Sequence, residues 1–300
     1  MTRAPVDSEL DRTNSAARAA FDRGVLSEAS LLYEQSLTRA RAMDDPREVA
    51  DAAYNLAACL IGLNQLDRAR SLLHEAEWDL GRIGGNTDDA ILLEAKVLRQ
   101  QGKLADAQAL TDRLIAEPRP AGSPGPAIGV YILRGRLALE RHDVATAKRE
   151  LATAQSAFKD GTDASMAAGI AGLSGRIALE ESRPADAAQQ FDAQTALLQK
   201  AGFYSDMSWA LSHAGDAYLV AGRPDRAADR LYRAARCADA LGNRSQSHQW
   251  IERASEAADA AKLPDLSGRI QNLKDEMSAA ATQPSAATLP SLPSEATKQQ

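Results

Sequence analysis

Residues 210–243, ALSHAGDAYLVAGRPDRAADRLYRAARCADALGN, read as two short helices folded against each other. Leu211, Ala214, Gly215 and Tyr218 share one face of the first, and Ala227, Leu231 and Ala234 share one face of the second. Gly222-Arg223-Pro224 separates them. Glycine suits the left-handed residue at a helix end, and proline suits the first turn of the next helix.

The same unit recurs along the chain. Aligned on the alanine after the proline, one column reads Ala29, Ala69, Ala107, Ala147, Ala187, Ala227 and Ser267, a step of forty residues broken once by a shorter one. Twelve residues before each member stands a second small-residue column: Ala17, Ala57, Ala95, Gly135, Gly175, Gly215 and Ser255. Four residues after the alanine column come Tyr33, Leu73, Thr111, Leu151, Phe191, Leu231 and Gln271, one turn on and on the same face. Helix axes approach to about 8 Å only where the crossing side chains are small, and the large neighbour then fills the groove beside the crossing. A single pair cannot bury its apolar stripe, so the pairs must stack, and the expectation is one continuous core. A turn column, Gly24, Asn64, Gly102, His142, Ser182, Gly222 and Lys262, calls for positive φ, which His142, Ser182 and Lys262 adopt less readily. Gln271 and Lys274 give the last unit a polar outer face, as a terminal cap requires.

Composition narrows the function class. The 300 residues carry 35 basic and 41 acidic side chains, a net charge of -6, with no footprint for nucleic acid or anionic lipid. Apolar runs such as Ala57 to Ile61 are far below the roughly 18 residues of a membrane helix, so no transmembrane segment is expected. Cys59 and Cys237 lie in distant units and read as buried thiols. MTRAPVDSEL has no apolar stretch of a secretory signal, which favours the cytoplasm if Met1 is the natural start.

With Gly215, Tyr218, Pro224, Ala227, Leu231 and Ala234 matching its pattern, the chain resembles the tetratricopeptide repeats, in a longer variant whose period is 40 where about 34 is usual. The resemblance implies an all-α fold, a right-handed α-solenoid of about seven antiparallel helix pairs with the first helices lining the concave side. The expected units are 8–43, 46–84, 86–117, 127–160, 163–201, 205–242 and 245–281. Residues 1–7 read as a flexible start, PRPAGSPGPA at 118–127 as a loop, and the Pro- and Ser-rich 282–300 as a disordered tail.

No catalytic constellation is present. The histidines sit in different units, no metal-ligand spacing occurs, and no phosphate-binding glycine loop is found, so neither an enzyme nor a cofactor is expected. What remains is the curved face. The residue after the small column reads Arg18, Ala58, Lys96, Arg136, Arg176, Asp216 and Glu256, a basic row across three adjacent units. A groove for an extended or helical segment of a partner protein follows, with Lys96, Arg136 and Arg176 steering acidic groups and Tyr54, Leu92 and Ile132 gripping beside them. Arg18, Arg136 and Arg176 each have an acid four residues on, Asp22, Glu140 and Glu180, whereas Lys96 and Arg99 have none and are the leading candidates. Asn55 falls in the asparagine column of relatives that clamp a carboxylate, but Asp89 and Leu93 stand where Lys and Arg are needed, so that clamp is not carried over. Trp209 is either a partner anchor or packing for the next unit. The leading reading is a non-catalytic interaction scaffold or adaptor. Its alternatives are a lipid-anchored periplasmic assembly factor for pili or outer-membrane proteins, should Met1 replace a processed signal, and a regulatory repeat protein of a signalling system. Nothing in the pattern names the partner or sets an oligomeric state.

Overall fold

A computed structural model of the chain describes residues 7–117, 127–158 and 163–282, and among them finds fourteen α-helices and no strand. They run as pairs: α1 (Ser8–Asp22) with α2 (Leu26–Ala42), α3 (Pro46–Gly62) with α4 (Leu66–Arg82), α5 (Asp88–Gln100) with α6 (Leu104–Ala116), and α7 (Ile128–Leu139) with α8 (Val144–Ala157). Then follow α9 (Ala164–Glu180) with α10 (Pro184–Ala201), α11 (Tyr204–Val220) with α12 (Pro224–Ala240), and α13 (Arg244–Ala260) with α14 (Pro264–Thr282). Each helix packs on its successor, and contacts between distant helices are nearly absent among the described residues, which makes the molecule a helical solenoid. No described helix is long and apolar enough to cross a membrane. The loop expected at 118–127 and the tail at 282–300 lie almost wholly outside the described residues, as do residues 1–6.

All seven turn positions within the pairs are left-handed, with φ between 56° and 79°, including His142, Ser182 and Lys262. In each turn the next backbone N–H donates to a carbonyl five residues back, as Arg223 does to Tyr218 at 2.8 Å and Asp143 to Ala138 at 2.9 Å. That closure satisfies a helix-end carbonyl. The shared bond holds the turn even where a β-carbon makes the conformation unfavourable.

The small columns are buried. Ala29, Ala69, Ala107, Ala147, Ala187 and Ala227 are 0% exposed, as are Ala17, Ala57 and Ala95. The glycines meet the large residues most closely, and at Gly215 the Ala227 carbonyl also lies 3.5 Å from the missing β-carbon. A methyl group on Gly215 would lie 2.7 Å from Leu231 Cγ, and one on Gly175 2.8 Å from the Phe191 ring. At Gly135 it would meet Leu173 of the following pair at 2.6 Å. Ser255 and Ser267 are only half-buried, and α14 buries Ile270, Leu273 and Met277 while exposing Gln271, Asn272, Asp275 and Glu276. Its outer face is polar.

One expectation is corrected. The core is not continuous. A large cluster spans α1 to α5 and another α9 to α14, while between them the buried apolar residues divide into three smaller groups around α5–α7, α7–α9, and Ala168, Leu198 and Ala210. Helices α5 to α8 are also short, at 12 to 14 residues. Glycines 129, 135, 169, 172 and 175 in α7 and α9 supply no apolar side chain to bridge the gaps.

Close approach at the glycine column carries a direct stability consequence. Gly215→Ala forces a methyl against Leu231 and lowers stability by about 1–3 kcal/mol. Gly268→Ala in α14, with nothing within 4 Å of the new methyl, instead stabilises by about 0.5–1 kcal/mol through helix propensity. Urea unfolding of the two variants beside the parent distinguishes the cases.

Candidate functional site

The interruption in the core coincides with a cleft of about 340 Å³. Its walls come mainly from the odd-numbered helices, Lys96 from α5, Ile132 and Arg136 from α7, Arg176 from α9, and Asp206, Trp209 and His213 from α11, with Gln194 and Leu198 added by α10. The floor is shaped by missing β-carbons. Leu92 leans over Gly129, where a methyl would lie 3.0 Å from its Cδ2, and Ile132 leans over Gly169, at 2.8 Å. The Gln194 amide occupies the space above Gly172, at 2.6 Å. Where α7 and α9 carry Gly129 and Gly169, α11 carries Trp209, which closes the cleft at that end.

The aromatic end is an ordered stack. Trp209 is 44% exposed and meets the 3% exposed Trp250 edge to face at 5.0 Å. His213 lies 6.3 Å from Trp209 and 5.4 Å from Phe191. Trp250 is therefore a packing residue that props Trp209, and Trp209 faces the cleft.

Electrostatics single out three cations. Forty-residue periodicity stacks Lys96, Arg136 and Arg176 at one register of α5, α7 and α9, and among the described residues none of the three makes an ion pair or side-chain hydrogen bond. Arg136 Nε is buried with no hydrogen-bond partner. Burial, with Arg176 and Arg99 nearby, pulls the Arg136 guanidinium down to about 10. Burial and Arg99 lower Arg176, and burial and Arg136 lower Lys96. Asp206 is the one carboxylate in the lining, raised by burial although Arg136 and Lys96 oppose the rise. His213 is pushed down to about 4 by burial and by Arg176 and Arg136, so it is neutral at pH 7.

The pairing expected along each helix holds only for Arg18, whose Nε reaches Asp22 at 3.1 Å. Glu140 turns to Arg99 of the preceding pair, Nη1 at 2.6 Å, and Glu180 lies 3.7 Å from His142 Nδ1. Arg99 thus has a partner and Arg136 and Arg176 do not, the reverse of the expectation. Residues 41 apart are one repeat and one step apart, a neighbour that a four-residue rule along one helix cannot see. The structure brings Lys96, Ile132, Arg136, Arg176 and Trp209 together. Tyr54 packs on the amino-terminal core, Asn55 donates to the Asp51 carbonyl of its own helix at 2.8 Å, and Leu92 is buried against α7. Sequence reasoning missed Met166, Gln194, Phe203, Asp206 and His213. A usable signal existed: three glycines, 129, 169 and 172, inside helices where glycine is unfavourable.

No family model matches the chain, and no curated protein does. Solved structures do. A signal transduction ATPase with numerous domains and a tetratricopeptide repeat sensor, from Pyrococcus horikoshii, superposes at a TM-score of 0.59 and 14% identity over 85% of this chain, which spans only 40% of that one. A Rap protein complexed with competence and sporulation factor gives 0.56 and 11% identity over 90% of this chain and 99% of that one. The apo form of RapI gives 0.52 and 12% over 85% and 99%. At these identities the likeness is one of fold, the tetratricopeptide type of helical array.

His213 predicts an acid limb in stability. The unfolded histidine takes up a proton near 6.5 and the folded one only near 4, so the contribution of the neutral ring is complete above 6.5 and is lost as pH falls toward 4. Asp206, raised by burial, acts in the opposite sense. Melting temperatures at pH 7.5 and 5.0 therefore differ less in His213→Gln than in the parent.

Proposed function

We propose that this tetratricopeptide-type array is a non-catalytic interaction module, and that its odd-numbered helices bind an extended acidic segment of a partner protein across the cleft at α5 to α11. One observation carries the reading: Lys96, Arg136 and Arg176, on three successive pairs, face one cleft with no ion pair to any of them among the described residues and with Asp206 as the one carboxylate in the lining. Arg136 is half-buried while Lys96 and Arg176 are exposed, and like charges held at one register repel until an anion meets them, so a ligand with acidic groups relieves that repulsion. Trp209 supplies a half-exposed aromatic anchor beside them. The Rap protein of similar fold, solved with competence and sporulation factor, supports the use of such an array for ligand capture.

A regulatory role in signalling is the second reading. It is favoured by the Pyrococcus horikoshii ATPase, where an array of this fold is the sensor of a longer protein.

Fluorescence anisotropy with an amidated, labelled peptide rich in Glu tests the first reading against the same peptide with Gln in place of Glu. The acidic peptide binds the full chain, its Gln counterpart binds at least tenfold more weakly, and Arg136→Glu with Arg176→Glu abolishes the difference. Equal binding of both peptides by the parent contradicts it.

A further inference from the structure

The cleft itself holds only part of an extended segment. About 340 Å³ is at the low end of small-molecule sites. It is walled by helices of four successive pairs, and its three cations stand one to a helix at one register of α5, α7 and α9, with Arg136 in the middle. Three positive side chains face one carboxylate, Asp206, with His213 neutral beside them. The surplus is two positive charges.

We propose that this cleft binds a compact dianion, of the dicarboxylate or phosphate-monoester class, held between Lys96, Arg136 and Arg176 with its remaining body against Trp209 and His213. The inference rests on reading the cleft as a binding site and names what the site itself takes. Arg136 is the central ligand, because its Nε is buried and otherwise has no acceptor. A guanidinium presents a planar fork that matches carboxylate and phosphate oxygens, and a dianion meets two such forks where a monoanion meets one. Gln194, over Gly172, adds an amide at the floor. The aromatic end supplies an apolar face to whatever carries the anionic groups.

Occupancy has a structural consequence. The cleft lies where the core is divided, between the two large clusters, so a ligand bridging α5, α7, α9 and α11 couples halves that few apolar contacts connect. Ligand that binds only the folded array also stabilises it by mass action. The two sources of such an anion, a free small molecule and the acidic end of a peptide, share this chemistry and are separated by experiment.

Calorimetric titration and thermal unfolding of the full chain with inorganic phosphate, succinate and acetate, at matched ionic strength in chloride, form the test. Phosphate and succinate bind saturably at one site and raise the melting temperature, acetate does neither at the same concentration, and Arg136→Gln with Arg176→Gln weakens the dianions at least tenfold. Arg176→Gln alone, at a solvent-accessible side chain, gives the same direction should the double variant fail to fold, and in a Trp78→Phe background the fluorescence of the stacked Trp209–Trp250 pair reports ligand directly. A shift that persists in the variants is a generic ionic effect and overturns the proposal. So does the absence of binding by both dianions. If the acidic peptide binds while free dianions neither bind nor displace it, this inference falls and the partner-segment reading stands. If the dianions bind and the peptide does not, the partner-segment reading falls and this one stands.

Discussion

Two helices can cross this closely only where one of them has almost no side chain. That constraint sets the two small columns, and the rest of the array follows from them. Nine alanines and three glycines of the columns are buried, and a large residue closes on each glycine: Leu231 on Gly215, Phe191 on Gly175 and Leu173 of the following pair on Gly135. Because the crossing fixes how each second helix lies on its first, the turn between them has one workable conformation. The left-handed residue then appears in every pair, whether the sequence offers glycine, asparagine or lysine. Local preference yields to a geometry imposed by packing.

Repetition has an electrostatic consequence. A period that places equivalent residues side by side turns a single basic position into a stack, and Lys96, Arg136 and Arg176 are such a stack. Elsewhere the array neutralises its charges across pairs, as Arg99 does with Glu140, Arg41 with Glu75 at 2.6 Å and Arg230 with Asp192 at 2.7 Å. At the cleft it does not. The stack also falls where glycines thin the core, so the place least held by apolar burial is the place where like charges meet. Stability and binding draw on the same region, and a ligand that answers the charge would also answer the gap.

The sequence disclosed the repeat because small residues at a fixed spacing have one physical use at a helix crossing, and Gly215, Ala227 and Leu231 show all of it in a single unit. The polar outer face of α14 was legible for the same reason: Gln271 stands where the other units bury a side chain. The site was legible only in part. Lys96, Arg136, Arg176, Ile132 and Trp209 could be placed from their columns, but which cation was free could not, since Arg99 finds its acid on the next pair. His213 and Asp206 belong to α11, three pairs beyond Lys96, and no spacing rule within one unit connects them. The division of the core was also hidden, because a glycine covered by an apolar side chain, as Gly175 is by Phe191, and one covered by a polar side chain, as Gly172 is by Gln194, look alike in sequence.

A double-mutant cycle between Gly215 and Leu231 tests the underlying constraint most directly. If the missing β-carbon exists to receive Leu231, then Leu231→Ala, which by itself removes about 2–5 kcal/mol, relieves the penalty of Gly215→Ala. The cycle, measured by urea unfolding, then shows a favourable coupling of at least about 0.5 kcal/mol. Strict additivity of the two substitutions would contradict the account, because the glycine and the leucine would then not be meeting at the crossing.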